Sequence, residues 1–523
     1  MEKNTKVLYC TAECSPFSKA GGVASVAGEL PPELKKQGID IEILTPYYGP
    51  IEEKHNLEKG KAYEIEFNGK QEQIQLYRGN LDNVPVTFVK NETHFRTKQV
   101  HIRSNIPYED DARRFSFLSE ACLPIIKSKN PDIVHVNDWQ FGYLLGLMKI
   151  NGLKARTVTT IHNLGYQGNM WQPKAEEISS TIRKLTTNPL TSRLFQDPRQ
   201  DWHSVNPFRL ALELSDKVNA VSPNYAREIL EPEDQSRYFE GGKGLESITR
   251  RLHEQGKLVG ILNGYNYNSE PTSENFEAII SKKKQVKEQM SFAFTNPENL
   301  LFGFVGRAVE QKLKLLKENL NGKSVLEHLL EIPGINFAFL GTGESEYERF
   351  LNNYSQGINS SAIITFDSKR ANIINLGSDI CLMPSTYEPC GITQLEAMDR
   401  ATPPLVRWTG GLVDTVIDYS SPNGTGFGFN GNSRDEVLRG LVNSVLEAKK
   451  LYDENKERFK ELRLNSFRSR FTWTDSAKKY INEVYEPLMR ICPDHNHCRG
   501  YNPNNISCND GGQCVAIQDS PNY

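Results

Sequence analysis

The sequence predicts an α/β protein made of two doubly wound, Rossmann-like domains that face each other across a cleft. Three observations carry this expectation. Short apolar, β-prone segments recur at 6–10, 39–45, 131–136, 156–161 and 217–221, with helical stretches between them. Near residue 259 the chain changes character: a turn-rich run, GILNGYNYNSEPTSENF, leads into a lysine-rich helical stretch. A second series of strand-like segments then follows at 301–306, 336–340, 362–366, 379–383 and 404–407. Buried runs alternating with helices read as βαβ units, because a parallel sheet needs both faces covered and the crossover helices do this. The expected organisation is a first domain over 1–258, a second over 259–475, a C-terminal helix over 476–491 that crosses back to the first domain, and a cysteine-rich tail over 492–523.

Composition narrows the functional classes. The 523 residues are 38% hydrophobic and 24% charged, enough apolar material for a sizeable core. The net charge of −3, from 62 basic and 65 acidic residues, argues against a nucleic-acid binder acting through bulk charge. No apolar run approaches the roughly 20 residues that span a bilayer, so no membrane partner is expected. The opening residues enter a strand-like segment without the three-part pattern of a secretory signal, which points to a cytoplasmic protein. Of nine cysteines, Cys10, Cys14, Cys122, Cys381 and Cys390 lie singly and read as reduced thiols. Cys492, Cys498, Cys508 and Cys514 form two pairs of x5 spacing, with His495 and His497 inside the first. That tail reads as a small zinc module, as two disulfides or as an unstructured extension, and x5 is not the usual x2 to x4 zinc-knuckle spacing.

The elements, taken in order, place polar residues just past buried strands, which is where ligands bind in open parallel sheets. After 6–10 comes a glycine turn, Lys19-Ala20-Gly21-Gly22, opening a helix. Amides at such a turn suit an anion and a lysine adds charge, although glycines there are often purely structural. The segment 131–136 ends in Asn137-Asp138-Trp139-Gln140, and 156–161 ends in His162-Asn163. Asp138 and His162 are each a general base or a capping or core polar group. Residues 170–215 and 230–258 read as helical or irregular insertions. In the second half, Arg307 and Lys312 follow a buried strand and suit a diphosphate, or else begin a solvated helix that continues through Lys314 and Lys317. The run STYEPCGITQLEAM at 385–398 follows another strand. There Glu388 projects into the cleft or caps a helix, the amides of Gly391, Ile392 and Thr393 sit at a helix start, and Glu396 lies two turns on. Cys390 has no histidine or asparagine partner motif of a cysteine hydrolase around it.

Together these motifs resemble bacterial glycogen synthase and plant starch synthase. The resemblance rests on KAGGV at 19–23, HVNDWQ at 135–140, TIHNLGYQG at 160–168, VSPNYA at 221–226, GGKGLE at 241–246, GILNG at 260–264, VGRAVEQK at 305–312, STYEPCGITQLEAM at 385–398 and TPPLVRWTGGLVDTV at 402–416, and covers roughly 5–485. It implies the GT-B fold and a retaining glucosyltransferase that needs no metal or other cofactor. The donor would be a nucleotide-diphosphate glucose, ADP-glucose or UDP-glucose, and the acceptor the non-reducing end of an α-1,4-glucan. It implies that Arg307 and Lys312 hold the diphosphate with help from Lys19, Gly21 and Gly22. It also implies that Glu388, with amides near Cys390 and Gly391, binds glucose hydroxyls, and that His162 contacts the sugar near its C6 hydroxyl. Asn163, Gln167 and Asn263 would line the same pocket, Asp138 would join the catalytic group, Phe366 would meet the nucleobase and Glu396 the ribose.

The chain departs from the family pattern at four places. Ser25 and Asn266 stand where acids are expected, Gln140 where a histidine is, and Leu313 where the clamp lysine is usually followed by glycine. The two lost acids keep two other readings open: a related glucosyltransferase with a different acceptor, and a nucleotide-sugar or glucan-binding protein without turnover.

Overall fold

A computed structural model describes residues 5–49, 51, 55–95, 111–199, 203–290, 294, 296, 298–355 and 357–489, and the backbone of 490, 506–508 and 514–516. Two large sheets organise it. The first contains β1 (Lys6–Cys10), β2 (Asp40–Pro46), β3 (Glu58–Phe67), β4 (Lys70–Leu81), β5 (Val84–Lys90), β6 (Ile133–Asn137), β7 (Arg156–Ile161), β8 (Lys217–Ala220) and β9 (Leu258–Gly260). Their spatial order is β9-β8-β7-β6-β1-β2-β5-β4-β3. The strands from β9 through β5 pair in parallel, and β5-β4-β3 continue as antiparallel hairpins. The strand-like segments of the sequence form the parallel part. The hairpin extension is an addition that βαβ logic does not foresee, and β3 alternates in burial as a sheet with one wet face does.

The second sheet contains β10 (Leu300–Val305), β11 (Ile335–Leu340), β12 (Ser360–Ile363), β13 (Ile380–Met383), β14 (Pro404–Arg407) and β15 (Phe427–Phe429), in the order β12-β11-β10-β13-β14-β15. Every pairing in it is parallel. β11 and β13 are buried at every residue, as strands covered on both faces are. The strand expected at 362–366 sits earlier, at Ser360–Ile363: Asp367 caps the next helix through the amides of Lys369 and Arg370, so the chain leaves the sheet before Phe366.

β9 still pairs with β8 in the first sheet, so that sheet ends at Gly260. The chain passes from one sheet to the other over 261–299 and returns near 470. The two crossings touch: Tyr265 donates its amide to the Phe471 carbonyl at 2.8 Å, and the Ser476 hydroxyl donates to the Leu262 carbonyl at 2.6 Å. Beyond the return, Trp473, Ala477, Tyr480, Ile481, Val484, Tyr485 and Leu488 join Val26, Leu30, Ile43 and Ile261 in a core of the first sheet. In the tail, Ile506–Cys508 pairs antiparallel with Cys514–Ala516. Cys492 and Cys498 lie outside the described residues, as do His495 and His497, and among the described residues no three His, Cys, Asp or Glu side chains are gathered for a metal. No helix of the described residues is long and apolar enough to cross a membrane.

Candidate active site

Each sheet reverses its winding at one place, and the site is built there. In the second sheet the reversal falls between β10 and β13: Arg307 and Lys312 follow β10, and Glu388 follows β13. In the first it falls between β1 and β6: Lys19 follows β1, Asp138 follows β6, and His162 follows the neighbouring β7. Such reversals leave a crevice beyond the carboxyl ends of the strands. The two crevices meet. The Ser222 hydroxyl, just past β8, donates to the Pro389 carbonyl at 2.6 Å, and the Asn224 amide donates to Asp414 at 2.8 Å. Glu228 accepts the Gly410 amide at 2.9 Å, and Arg407 donates to the Tyr238 carbonyl at 2.8 Å.

On the first wall, Asp138 is a buried hub. Its carboxylate accepts the amides of His162 at 2.8 Å and Asn163 at 3.4 Å, tying the end of β7 to the end of β6. Burial pushes its pKa up to about 7, against the lowering effect of those amides. His162 is 9% exposed, and burial pushes its pKa down to about 3. Its Nε2 lies 2.9 Å from Asn137 Oδ1. The Asn163 side chain accepts the Gly165 amide at 2.8 Å and also meets the Tyr387 hydroxyl across the cleft.

On the second wall, Lys312 pairs directly with Glu388, which also accepts the Ser385 hydroxyl at 3.3 Å. Arg307 is exposed and hydrogen-bonds Tyr166 from the opposite wall. Gly410 makes the close packing behind Glu388 possible. It holds φ at +48°, and a Cβ there would lie 1.9 Å from the Glu388 carbonyl oxygen. Gly391 (φ +77°) turns the chain into the helix Thr393–Asp399, with Ile392 at its cap. Asn263 is buried and hydrogen-bonds the Cys390 thiol, while its Oδ1 has no partner among the described residues. Burial pushes that thiol up to about 12, so it stays protonated at neutral pH and is no nucleophile. Glu396 is half-buried, and its pKa is raised by that burial against the pull of Arg400 and Lys19.

Several residues stand differently from their sequence reading. The Gly21 amide is not free for an anion, because buried Glu13 accepts it at 3.1 Å and accepts the Ala20 amide as well. Burial raises the Glu13 pKa, and these donors oppose the shift. Glu13 was legible by the rule used elsewhere, as a polar residue three positions past a buried strand. Exposed Gly22 and Lys19 remain open at the loop. Gln167 is 5% exposed and spends its amide on the protein: Nε2 donates to the Leu164 and Lys243 carbonyls, and Oε1 accepts from Asn206 at 2.8 Å. It ties loops together beneath the surface. Phe366 is 89% exposed on the loop after β12. Of the departures, Leu313 is fully buried and packs into the second core, on the side of its helix away from the cleft. Asn266 lies at the domain crossing, on a cavity of about 620 Å³ shared with Glu33, Tyr265, Tyr267 and Arg470.

Beneath the first wall, His135 Nε2 lies 2.7 Å from the Thr160 hydroxyl and its Nδ1 lies 2.7 Å from the Tyr485 hydroxyl. Burial holds its pKa down at about 3, against about 6.5 when unfolded. A group neutral in the fold contributes stability that is present above the unfolded pKa and lost as pH falls below it. From pH 7.5 to 5 this residue alone costs wild type about 2 kcal/mol. His135→Gln cannot titrate, so urea unfolding should show the stability gap between wild type and variant narrowing by about that amount over this window. A gap independent of pH would contradict a neutral, buried His135.

Residues 6–251 match the family described as starch synthase catalytic domain, and 285–462 match glycosyl transferases group 1. A glycogen synthase of Clostridioides difficile (strain 630) is 33% identical over 510 residues, covering 92% of this chain and 99% of that protein. A glycogen synthase of Lactococcus lactis subsp. lactis (strain IL1403) is 34% identical over 511 residues, covering 92% and 100%. Among solved structures, the catalytic domain of starch synthase IV from Arabidopsis thaliana, bound to ADP and acarbose, aligns with a TM-score of 0.78 at 27% identity, over 93% of this chain and 100% of that one. A sucrose-phosphate synthase from Thermosynechococcus elongatus shares the fold, with a TM-score of 0.56 at 16% identity over 93% of this chain and 99% of that one.

Proposed function

Because this chain belongs to the glycogen and starch synthase family and is a glycosyltransferase of the GT-B fold, we propose that it moves glucose from ADP-glucose to the non-reducing end of an α-1,4-glucan, with retention. The observation that carries this reading is the meeting of Lys312 and Glu388 at the winding reversal of the second sheet, with Arg307 bonded to Tyr166 of the first wall, where Asp138, at the first sheet's reversal, holds His162. A starch synthase bound to ADP and acarbose, aligned over nearly the whole chain, supports the choice of nucleotide and of a glucan acceptor.

Each group has a task in this reaction. Departure of the nucleoside diphosphate builds negative charge on its oxygens, which Arg307 and Lys312 stabilise, helped by Lys19 and the open Gly22 turn. On donor binding, Lys312 exchanges its ion pair with Glu388 for the phosphate, and Glu388 turns to the glucose hydroxyls. Asn263 Oδ1, buried without a partner, accepts a further sugar hydroxyl. Phe366 stacks on the base and Glu396 takes the ribose. Asp138 holds the His162 and Asn163 amides. It is thereby committed to shaping the wall, which supports transfer on one face of the sugar without a covalent glycosyl-enzyme.

The test incubates purified protein with ADP-glucose or UDP-glucose, with and without glycogen, and follows diphosphate release and label in polymer. Glycogen-dependent release with label in polymer, faster with ADP-glucose, is expected. Release without polymer label would replace the glucan with another acceptor. Binding of either donor without release would overturn turnover itself.

A further inference from the structure

A network of buried hydrogen bonds below the cleft specifies which nitrogen of His162 carries its proton. Asn137 is 1% exposed. Its Nδ2 lies 3.0 Å from the Cys10 carbonyl, which only accepts, so the amide cannot be turned the other way. Its Oδ1, which only accepts, therefore faces both the Tyr9 hydroxyl at 2.9 Å and His162 Nε2 at 2.9 Å. A bare Nε2 there would set two acceptors against each other in a buried site, which costs the full desolvation of both. Nε2 must therefore be the donor. Burial keeps the ring neutral, so Nδ1 is bare, and no described residue partners it.

We infer that Asn137 is a positioning residue that locks His162 as the Nε2–H tautomer, so that the imidazole presents Nδ1 to the cleft as a hydrogen-bond acceptor. The assignment follows from Cys10, Tyr9, Asn137 and the burial of the ring, and only its kinetic consequence rests on the proposed transfer. In that reaction His162 Nδ1 accepts a hydrogen bond from a hydroxyl of the bound sugar, which keeps its proton, and the neutral ring neither donates a proton to the leaving group nor carries positive charge. One face of the glucose is thus read by a neutral acceptor and the diphosphate by cations.

The test is long-range nitrogen–proton NMR on the full chain labelled at histidine, with the His162 signals identified by their loss in His162→Gln. A protonated ring nitrogen and a bare one resonate far apart, so the tautomer is read directly. Wild type is expected to show Nε2–H. Asn137→Leu removes the acceptor and should shift the population toward Nδ1–H and lower kcat/KM about 10-fold or more. Its ADP affinity should stay within about twofold of wild type, because Asn137 and His162 bond none of the diphosphate cations Arg307, Lys312 and Lys19. Tyr9→Phe removes only the second donor to Oδ1 and should keep the Nε2–H signature. An Nδ1–H pattern in wild type, or Asn137→Leu with both signature and turnover intact, would overturn the inference. If Asn137→Leu does not fold, the wild-type spectrum still decides. A wild-type protein that transfers no glucose would refute the proposed reaction and leave the spectral result standing.

Discussion

Lys312→Gln should lower turnover by about 10²–10³-fold at saturating donor, the usual cost of removing one preorganised charge at a departing anion. Two effects combine in that number. The variant loses a cation at the diphosphate, and it also strips Glu388 of its ion-pair partner in a site where both side chains are largely shielded, at 18% and 10% exposure. ADP affinity should therefore fall by about 10-fold or more, and the glucose end should suffer as well. Glu388→Gln, measured alongside, separates the two effects. If the residues act as one unit, the double variant loses much less than the sum of the single losses. Lys312→Gln with turnover within tenfold of wild type would remove this residue from the diphosphate clamp. Additive losses would mean that the ion pair seen between them has no bearing on catalysis.

Trp473→Ala should be the most destabilising single change considered, at about 3–5 kcal/mol, read from urea unfolding. Trp473 is 3% exposed and packs with Val26, Leu30 and Ile261 of the first sheet's core, although it stands more than 200 residues beyond that sheet's last strand. Its indole N–H donates to Glu29, and its backbone lies so close to Gly264 that a Cβ on the glycine would come within 2.3 Å of the Trp473 nitrogen. The indole therefore fixes the returning chain to the outgoing one at the domain crossing. Truncation leaves a large cavity and an unpartnered Glu29 carboxylate, whose pKa burial already raises. Trp473→Phe keeps most of the apolar volume and should recover more than half the loss. Equal stability of wild type and Trp473→Ala would mean that the C-terminal return contributes nothing to the first core.

How much of this was legible depended on how local the cause was. The run 131–136 is readable because every residue of β6 is buried and Ile133, Val134 and Val136 make it β-prone and apolar around the polar His135. The hairpins β3-β4-β5 escaped βαβ reasoning because they extend the sheet at one edge, where one face stays wet and no crossover helix marks them. β12 ends before the apolar pattern does, because Ile364 and Phe366 continue that pattern while the chain is already leaving the sheet toward the helix cap at Asp367. One rule, polar residues just past buried strands, singles out Arg307, Lys312, Glu388, Asp138 and His162 as candidates, and Glu13 obeys the same rule.

The amino-acid sequence by itself determined that there are two parallel sheets, which residues end their strands, and hence which chemistry faces the cleft. Those features follow from hydrophobic runs and turn residues a few positions apart. The tertiary structure alone decided which polar atoms are free. Glu13 occupies the Gly21 amide, Gln167 is saturated by Leu164, Lys243 and Asn206, and Lys312 meets Glu388 across 76 positions of chain. Asn137 reaches His162 from the neighbouring strand, and Trp473 returns to a core begun near the N-terminus. The physical reason is common to all five. A buried donor, acceptor or ring must be satisfied by whatever the fold brings beside it, and that partner is set by distance in space, on which spacing along the chain is silent.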